Sequence, residues 1–428
     1  MKMSSIDPVQ RQYEALPYPA RDPAEEKTRL LRTWLDDLPM INHYGFAGRQ
    51  DFAGGFRALV AGGGTGDGTI FLAEQLRHTD AEVVHLDFSR TSIELARRRA
   101  EARGLRNVRF VCDSLLNIGK LDLGKFDYIN CVGVLHHLDD PDAGLRAIRS
   151  VLADDGVMGL MVYGRAGRTG IYQMQELMRL VNGDEPEMRK RIGNTREILG
   201  ALPPTNWFKR GEDLYNDHRV SDAGLVDLLL HPRDRAYSVE ELFAWLCDAH
   251  GLHLELTDVQ RGRAAYLPHL QLGPNPPRSL RRIREMPLRR QFAIAELLTG
   301  TLQTHSFFAT RSPDCTAPYG DPEYVPFFFH EPLNGPQVAQ MLAANRGQPV
   351  ILDHAHTRLS LTVNPGRYGA PVVRRIDGSA TFGKIFGEVR AEAGASPTDA
   401  ELFEDFRETF ETLNAIDRLL LRHASVAG

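Results

Sequence analysis

The stretch ALVAGGGTGDGTIFLAEQL, residues 58–76, sets five glycines within the seven positions 62–68, between an apolar run and a helix-like one. Glycine gives up more conformational freedom on folding than any other residue. A cluster of glycines where a strand should end therefore marks a strained turn, or a backbone that something must approach closely. A strand–turn–helix corner of this kind is at home in a parallel α/β sheet, and the chain around it reads the same way.

From Phe56 onward the apolar period switches repeatedly between strand-like and helix-like. FRALVAG reads as a first buried strand and Thr69–Arg77 as the helix after it. EVVHLD (82–87) is a second strand, followed by a helix over 91–104 that Gly104 closes. VRFVCD (108–113), FDYINCVGV (126–134) and VMGLMVY (157–163) give three more strands. The last two flank a helix over 141–156, whose proline sits in the first turn, where a missing N–H costs nothing. The rhythm then breaks into an insertion over 164–236. A helix over 238–251 follows, with Ser238 as N-cap and Glu241 three residues on. LHLELTDV is a sixth strand, 263–300 a second insertion, and THSFFATR (304–311) the closing strand. Another helix is predicted over Ala24–Asp36, and a long one over 401–423. The expected organisation is an N-terminal arm (1–55), an α/β domain (56–312) carrying both insertions, and a small α+β accessory domain (313–428).

The 428 residues suffice for two domains, and a net charge of −5 offers no general attraction to nucleic acid or anionic membranes. Cys112, Cys131, Cys247 and Cys315 are scattered without metal-site spacing, which fits a reduced, cytoplasmic setting. The start, MKMSSIDPVQRQYE, lacks the apolar core of a secretory signal, and no run nears the roughly 18 apolar residues of a membrane span. DHAH (353–356) offers His-x-His without partner ligands at suitable spacing, so no metal is expected. Nothing in the sequence speaks to oligomeric state.

Three ligands compete for the glycine turn with a bare, ligand-free turn. A phosphate-binding P-loop needs Gly-Lys-Ser/Thr at its end, and no lysine follows here. The dinucleotide fingerprint Gly-x-Gly-x-x-Gly would begin at Gly62 and Gly64 but finds Asp67 where its third glycine belongs. GGGTG (62–66) is instead similar to the Gly-x-Gly-x-Gly of class I S-adenosylmethionine-dependent methyltransferases, whose glycines pass beneath the methionine portion of the cofactor. Asp87, ending strand two, is placed to accept both ribose hydroxyls, although it does not by itself separate this cofactor from NAD. The resemblance continues through Asp113 and Ser114 after strand three and through FDYINCVGVLHHLDDPDAGLRAIRSVLADDGVMGLMVYG. It covers about 56–163 well, and 238–260 and 304–311 more loosely.

The resemblance implies a Rossmann-like α/β fold, S-adenosyl-L-methionine as cofactor and methyl transfer as activity. Carried over residue by residue, it assigns the cofactor to Ala61, Gly62, Gly63, Gly64, Gly66, Asp87, Phe88, Asp113, Ser114 and Cys131. One departure is Val60, which stands where the family has an acid. The cofactor's ammonium must then be held by carbonyls around Ala61 and Cys131 or by something from the N-terminal segment, where Tyr13 and Tyr18 of YEALPYPARDP either close over it or belong to a proline-fixed arm packed on the sheet. His136 and His137, after strand four, are candidate bases, and equally candidate helix-entry residues packed under the cofactor. The Asp/Asn-Pro-Pro-Tyr/Phe of amino-methylating DNA enzymes is missing from that loop, which argues against a nucleic-acid base as acceptor.

Ligands of open α/β sheets bind outside the carboxyl ends of the strands, so the insertion after strand five should form the acceptor site. Its candidates are Tyr163, Arg168, Tyr172 and Gln173, with Trp207, Asn216 and His218 on a polar–aromatic loop that suits a cationic group or is simply surface. Tyr13 and Tyr18 of the N-terminal arm join them as acceptor candidates. Met174, Leu177 and Met178 read as core, and His231, Arg233, Asp234 and Arg235 as a salt-bridge corner. The arginines of 261–293 read as a solvated helix face, since the aromatic interleaving of single-strand binders is missing. Residues 370–425 have a winged-helix look and faintly resemble the C-terminal parts of some bacterial protein-modifying methyltransferases. The expected activity is methylation of a protein or peptide side chain. A small-molecule metabolite as acceptor and a non-catalytic interaction protein that binds S-adenosylmethionine are the alternatives.

Overall fold

The structure is a computed structural model and describes residues 8–273, 275–330, 334–345, 348–354, 357–394 and 396–426. Its contacts divide the chain into two compact units. The first comprises Met1–Asp36, Phe52–Ser238 and Gly300–His305; the second comprises Asp37–Asp51, Val239–Thr299 and Ser306–Gly428. These limits differ from the boundaries at 55/56 and 312/313 that the sequence suggests. Residues 37–51 and most of the second insertion group with the C-terminal residues.

The first unit is built on parallel strands β1 (Arg57–Ala61), β2 (Glu82–Asp87), β3 (Val108–Cys112), β4 (Phe126–Val132) and β5 (Leu152–Gly164), with the short β6 (Ala236–Tyr237) beside β5. With β7 (His253–Thr257) and β8 (Thr304–Thr310) the strand order is β3-β2-β1-β4-β5-β8-β7, the Rossmann-like arrangement expected; β7 and β8 are antiparallel. β1 lies between β2 and β4, so Val60 pairs with His85 on one side and Asn130 on the other. β1, β2, β4 and β5 carry the buried core, with Ala58, Leu59, Val83, Val84 and Leu160 all at zero exposure, while the edge strand β3 is only partly covered.

The connecting helices start and stop for local reasons. Ser89 caps Arg90–Arg103 by accepting from the Ser92 amide, and Gly104, at φ +71°, ends it in the left-handed region. Asp140 caps Pro141–Ser150 through the Asp142 and Ala143 amides. That helix is shorter than expected: residues 152–156 extend β5 instead. The predicted helix over 24–36 reduces to 3₁₀ turns at Pro23–Lys27 and Trp34–Asp36. The insertion after β5 folds into Thr169–Asn182, Met188–Ala201 and Asp222–Leu229 around Ile171, Met174, Met178, Phe208 and Leu225; Met174 and Met178 are core, as their spacing suggests, and Leu177 packs against them.

In the second unit, the helix expected over 238–251 runs as α-helix from Val239 to Phe243 and widens to a π turn over Ala244–Ala249. Helices Gly335–Ala344, Gly369–Arg374, Phe382–Ala393 and Asp399–Ala415 surround a core of Tyr324, Val372, Phe382, Phe386, Phe406 and Leu419. β9 (Tyr324–Phe328) and β12 (Leu419–His423) form one antiparallel pair, and β10 (Pro349–His354) and β11 (Thr357–Thr362) another. The long helix expected over 401–423 therefore ends early. Asp417, at φ +52°, breaks it, and LLLRH pairs with β9. The buried Asp417 carboxylate holds that break in place, accepting from the hydroxyls of Tyr44 and Thr257. His356 of the His-x-His segment lies outside the described residues. No helix among the described residues is long and apolar enough to cross a membrane.

Candidate functional site

The glycine turn is held by backbone bonds. The Gly62 and Gly63 amides donate to Leu86 O at 2.7 and 3.1 Å, and Gly66 closes the turn onto Gly63 O at 2.9 Å. Gly62, Gly64 and Gly66 all take positive φ, and a Cβ on Gly64 would stand 2.9 Å from Tyr18 O. The glycines are thus required both by conformation and by the N-terminal arm lying against them. Ala61, at zero exposure, ends β1 just before them.

Asp87 ends β2 beside the turn. One carboxylate oxygen accepts from the Gly64 amide and the other from the Ser89 amide, both at 2.8 Å. Burial outweighs these bonds and raises the carboxyl pKa to about 6. No cationic side chain forms an ion pair with it among the described residues. A buried carboxylate with free lone pairs beside a glycine turn suits a vicinal diol, so this end of the site fits the nucleoside of S-adenosylmethionine. Phe88 follows, its ring 6.4 Å from that of Tyr13. Asp113 accepts from the Ser114 amide and the Asn117 side chain, while Ser114 caps the following turn. Cys131 is fully buried, and burial pushes its thiol up to about 12.

The N-terminal arm spans the whole site. Helix Pro8–Ala15 contacts the β2 corner: Gln10 donates to Phe88 O, Ser89 Oγ to Tyr13 O, and Glu14 accepts from the Arg90 and Thr91 amides. Beyond it, Thr65 donates to Pro19 O, and Arg21 pairs with Asp67. Further along, Asp36 lies buried against β4. Its Oδ1 accepts from the Asn130 side-chain Nδ2 at 2.7 Å and from the Tyr128 hydroxyl at 3.3 Å. Its Oδ2 lies 2.8 Å from where a Cβ on Gly68 would be. Asn130 is the register partner of Val60, so the N-terminal segment brings a carboxylate beside the position where strand one has no acid.

On the other side of Tyr13 stands a cluster of side chains beyond β4 and β5. Tyr13 donates its phenol proton to Asp227 at 2.8 Å, with His231 Nε2 at 3.4 Å; Tyr163 reaches the other Asp227 oxygen at 3.4 Å. His136 stacks on Tyr163 at 3.7 Å, and His137 lies 3.9 Å from His231. One residue sets the ring orientations. Arg233 O accepts from His137 Nδ1 at 2.9 Å, and the Arg233 amide donates to His231 Nδ1 at 3.1 Å. His137 therefore presents an Nε2 lone pair, which meets His136 Nε2 at 3.1 Å, and His231 presents an Nε2–H. Burial lowers all three imidazoles, His137 to about 4, so they are neutral near pH 7. Burial raises Asp227 to about 6.

His137, Asp227 and His231 bring ligand atoms within 4.8 Å of one another, a grouping the sequence spacing does not reveal. Metal binding through His231 Nε2 would need the proton on Nδ1, and Nδ1 already accepts an amide proton. The trio is therefore arranged as a hydrogen-bonding cluster. Arg168 completes it, buried and paired with Asp234 at 3.1 Å, with its guanidinium 3.5 Å from the centre of the Tyr163 ring and 5.7 Å from that of Tyr172. Tyr18 is buried and faces Asp227 and Asp217, which raise its phenol further.

Of the acceptor candidates, Tyr13, Tyr18, Tyr163, Arg168 and Tyr172 come together. Gln173 instead accepts from the Trp207 amide, Trp207 is 57% exposed, Asn216 is exposed, and His218 packs against Phe208. No hydrogen bond among the described residues joins these four to the cluster. The corner read from LLLHPRDRAYS needs correction: Asp234 pairs with Arg168, Arg233 with Asp139, and His231 belongs to the cluster. Asp227 was missed altogether, although a lone acid inside the apolar run AGLVDLLL was the available signal.

Comparison with known proteins finds methyltransferases among the similar chains. A family model described as a methyltransferase domain matches residues 59–158. An uncharacterized protein of Synechococcus sp., syc1184_c, is 33% identical over 318 residues, 73% of each chain. A ubiquinone biosynthesis O-methyltransferase of Actinobacillus pleuropneumoniae is 26% identical over 37% of this chain and 67% of its own. Among solved structures, PKMT2 from Rickettsia typhi, also solved in complex with AdoHcy, shares the fold with a TM-score of 0.60 at 15% identity. That likeness covers 91% of this chain and about three quarters of the other.

Proposed function

The chain belongs to the class I S-adenosylmethionine-dependent methyltransferases, and on that premise we propose that it methylates an amine-bearing side chain of a protein or peptide. S-adenosylmethionine is the cofactor and supplies the sulfonium methyl group. Ala61, Gly62, Gly63, Gly64 and Gly66 would line its methionine portion, with Cys131 beside them. Asp87 and Phe88 would hold its ribose, and Asp113 and Ser114 its adenine. Asp36 would serve its ammonium.

The observation that carries the acceptor assignment is the balance of the cluster. The buried carboxylates of Asp227 and Asp234 stand against one buried guanidinium, Arg168, which Asp234 already neutralises, so the Asp227 charge is left over, with the exposed Asp217 nearby. The phenols of Tyr13, Tyr18, Tyr163 and Tyr172 surround them. Excess carboxylate among aromatic rings favours a cationic amine over a carboxylate or an enolate. Methyl transfer to an ammonium requires that it first lose a proton. Asp227, raised towards neutrality, takes that proton in this reading. His136 and His137 orient Tyr163 and the Arg233 turn rather than acting as bases.

A second reading has its own support. Asp227, His137 and His231 are each only 5% exposed beneath Tyr13, which suits a small free amine. The relatives named for ubiquinone biosynthesis also point to a small acceptor, although they align with less than half of this chain. Incubation of the purified protein with methyl-tritiated cofactor and a protein-rich, dialysed extract tests the choice. Protein-bound label recovered as N-methylated amino acids after hydrolysis is the expected result. Label found only when the low-molecular-weight fraction is restored would replace the first reading with the second.

A further inference from the structure

The second unit holds a cavity of about 210 Å³ that no step of methyl transfer uses. Its walls are Leu270, Leu272, Pro276, Leu280 and Ile283, and its polar groups are His269, Arg281, Arg284, Ser360 and Thr362. Each comes from a local pattern. β11 alternates: Leu359 and Leu361 bury in the core beside Ala264 and Leu270, which leaves Ser360 and Thr362 on the opposite, cavity-facing side. The two 3₁₀ turns, Arg278–Leu280 and Ile283–Glu285, with the link between them, bring Leu280, Arg281, Ile283 and Arg284 to the same cavity wall.

The charge on these walls is unbalanced. No acidic residue lines the cavity, and neither Arg281 nor Arg284 pairs with a carboxylate among the described residues. In the same arginine-rich segment Arg261, Arg263 and Arg289 pair with Asp258, Glu255, and Glu240 and Asp248, while the exposed Arg281 and Arg284, like Arg278, Arg282 and Arg290, have no carboxylate partner among the described residues. His269 Nδ1 is buried without a hydrogen-bond partner among the described residues. Burial and the facing Arg284 keep that imidazole neutral, with a pKa near 4. A buried polar atom without a partner is costly unless something arrives to meet it.

We propose that this cavity binds a small organic anion, its apolar body held against Leu270, Leu272, Leu280 and Ile283 and its oxyanion head, phosphate or carboxylate, held by Arg281 and Arg284 with Ser360 and His269 beside it. Guanidinium forks match the geometry of both heads. The proposal does not depend on the acceptor of methyl transfer.

Calorimetric titration of the full chain with phenyl phosphate, benzoate, inorganic phosphate and phenol provides the test. Phenyl phosphate or benzoate should bind at least tenfold more tightly than either inorganic phosphate or phenol, and whichever binds better identifies the head. R281A/R284A should weaken that binding at least tenfold. L280W, which fills the apolar end and leaves the guanidiniums in place, should weaken it similarly. Both variants should retain the parent's affinity for S-adenosylhomocysteine, which reports that the chain is folded. No binding of either organic anion at millimolar concentration would overturn the proposal. So would inorganic phosphate binding equal to that of phenyl phosphate, or an affinity unchanged in the double variant.

Discussion

At the cofactor end, Gly62, Gly64, Gly66 and Asp87 belong to one strand–turn–helix–strand unit and hold one another largely through backbone amides. At the acceptor end, Tyr13, His137, Tyr163, Arg168, Asp227, His231 and Asp234 come from segments spread between residues 13 and 234, and side chains do the holding. A backbone-built site tolerates little change of residue type but leaves a compact trace in the sequence. A side-chain-built site can be re-specified for a new acceptor without disturbing the turn that holds the donor. Tyr13 touches both ends: its ring faces Phe88 and its hydroxyl serves Asp227.

The largest effect should come from removing the one side chain on which the cofactor end depends. In Asp87→Ala two hydroxyl acceptors and the brace on the Gly64 amide are lost together. At about 1.5–3 kcal/mol for each hydrogen bond to a charged group, affinity for S-adenosylmethionine should fall about a hundredfold or more by calorimetry. A fall below fivefold would mean that the ribose lies elsewhere. The same carboxylate gives the binding a pH dependence. Its folded pKa is raised to about 6 from an ordinary value near 4, so it carries a proton below pH 6 and is ionised above. The ionised form is the better acceptor, so cofactor affinity should climb as pH rises from 5 to 7 and level off beyond. The linkage to stability has the opposite sign: between pH 4 and 6 the folded state binds the extra proton, so this group favours folding less as pH rises. Asp87→Asn should flatten the affinity profile, and a profile unchanged in that variant would assign the titration to another group.

Asp36 sharpens the comparison, because the N-terminal segment contributes it to the cofactor end. If it serves the ammonium, Asp36→Asn should weaken S-adenosylmethionine about tenfold, the order expected for one charge-assisted bond. It should leave 5′-methylthioadenosine, which lacks the amino-acid portion, unaffected. Equal losses for both ligands would instead make Asp36 a support for β4 through Asn130 and Tyr128.

These residues also show how much was legible. The strands from β1 to β5, the glycine turn and Asp87 could be read because each rests on local pattern: apolar runs, positive-φ glycines, an acid at a strand end. The helix ends at Ser150 and Ala415 could not. Leu152 pairs with Phe126 of β4, residues 153–156 fall in the irregularity before the next pair, and 419–423 pair with β9, so tertiary pairing overrode local preference. Asp227 and His231 were illegible as a pair for a similar reason. What joins them is Tyr13, more than two hundred residues earlier, and no spacing rule spans such a distance. Asp36 was half legible: Val60 announced a missing acid, but nothing in the segment WLDD separates Asp36 from its neighbour Asp37.

The smallest effects separate the two ends at Tyr13 itself. Tyr13→Phe keeps the ring against Phe88 and removes only the hydroxyl bound to Asp227. Cofactor affinity should therefore change less than twofold, while transfer to an amine acceptor falls about tenfold and its pH optimum moves with Asp227. Glu14→Ala, one residue further along the same helix, should do the reverse. It removes the carboxylate that caps the Arg90 and Thr91 amides at a helix N-terminus, an interaction worth about 0.5–1 kcal/mol. Cofactor affinity should then drop two- to fivefold with turnover at saturation unchanged. If both variants moved both quantities equally, the arm would be acting as one rigid cover, and the separation of donor end from acceptor end would not hold.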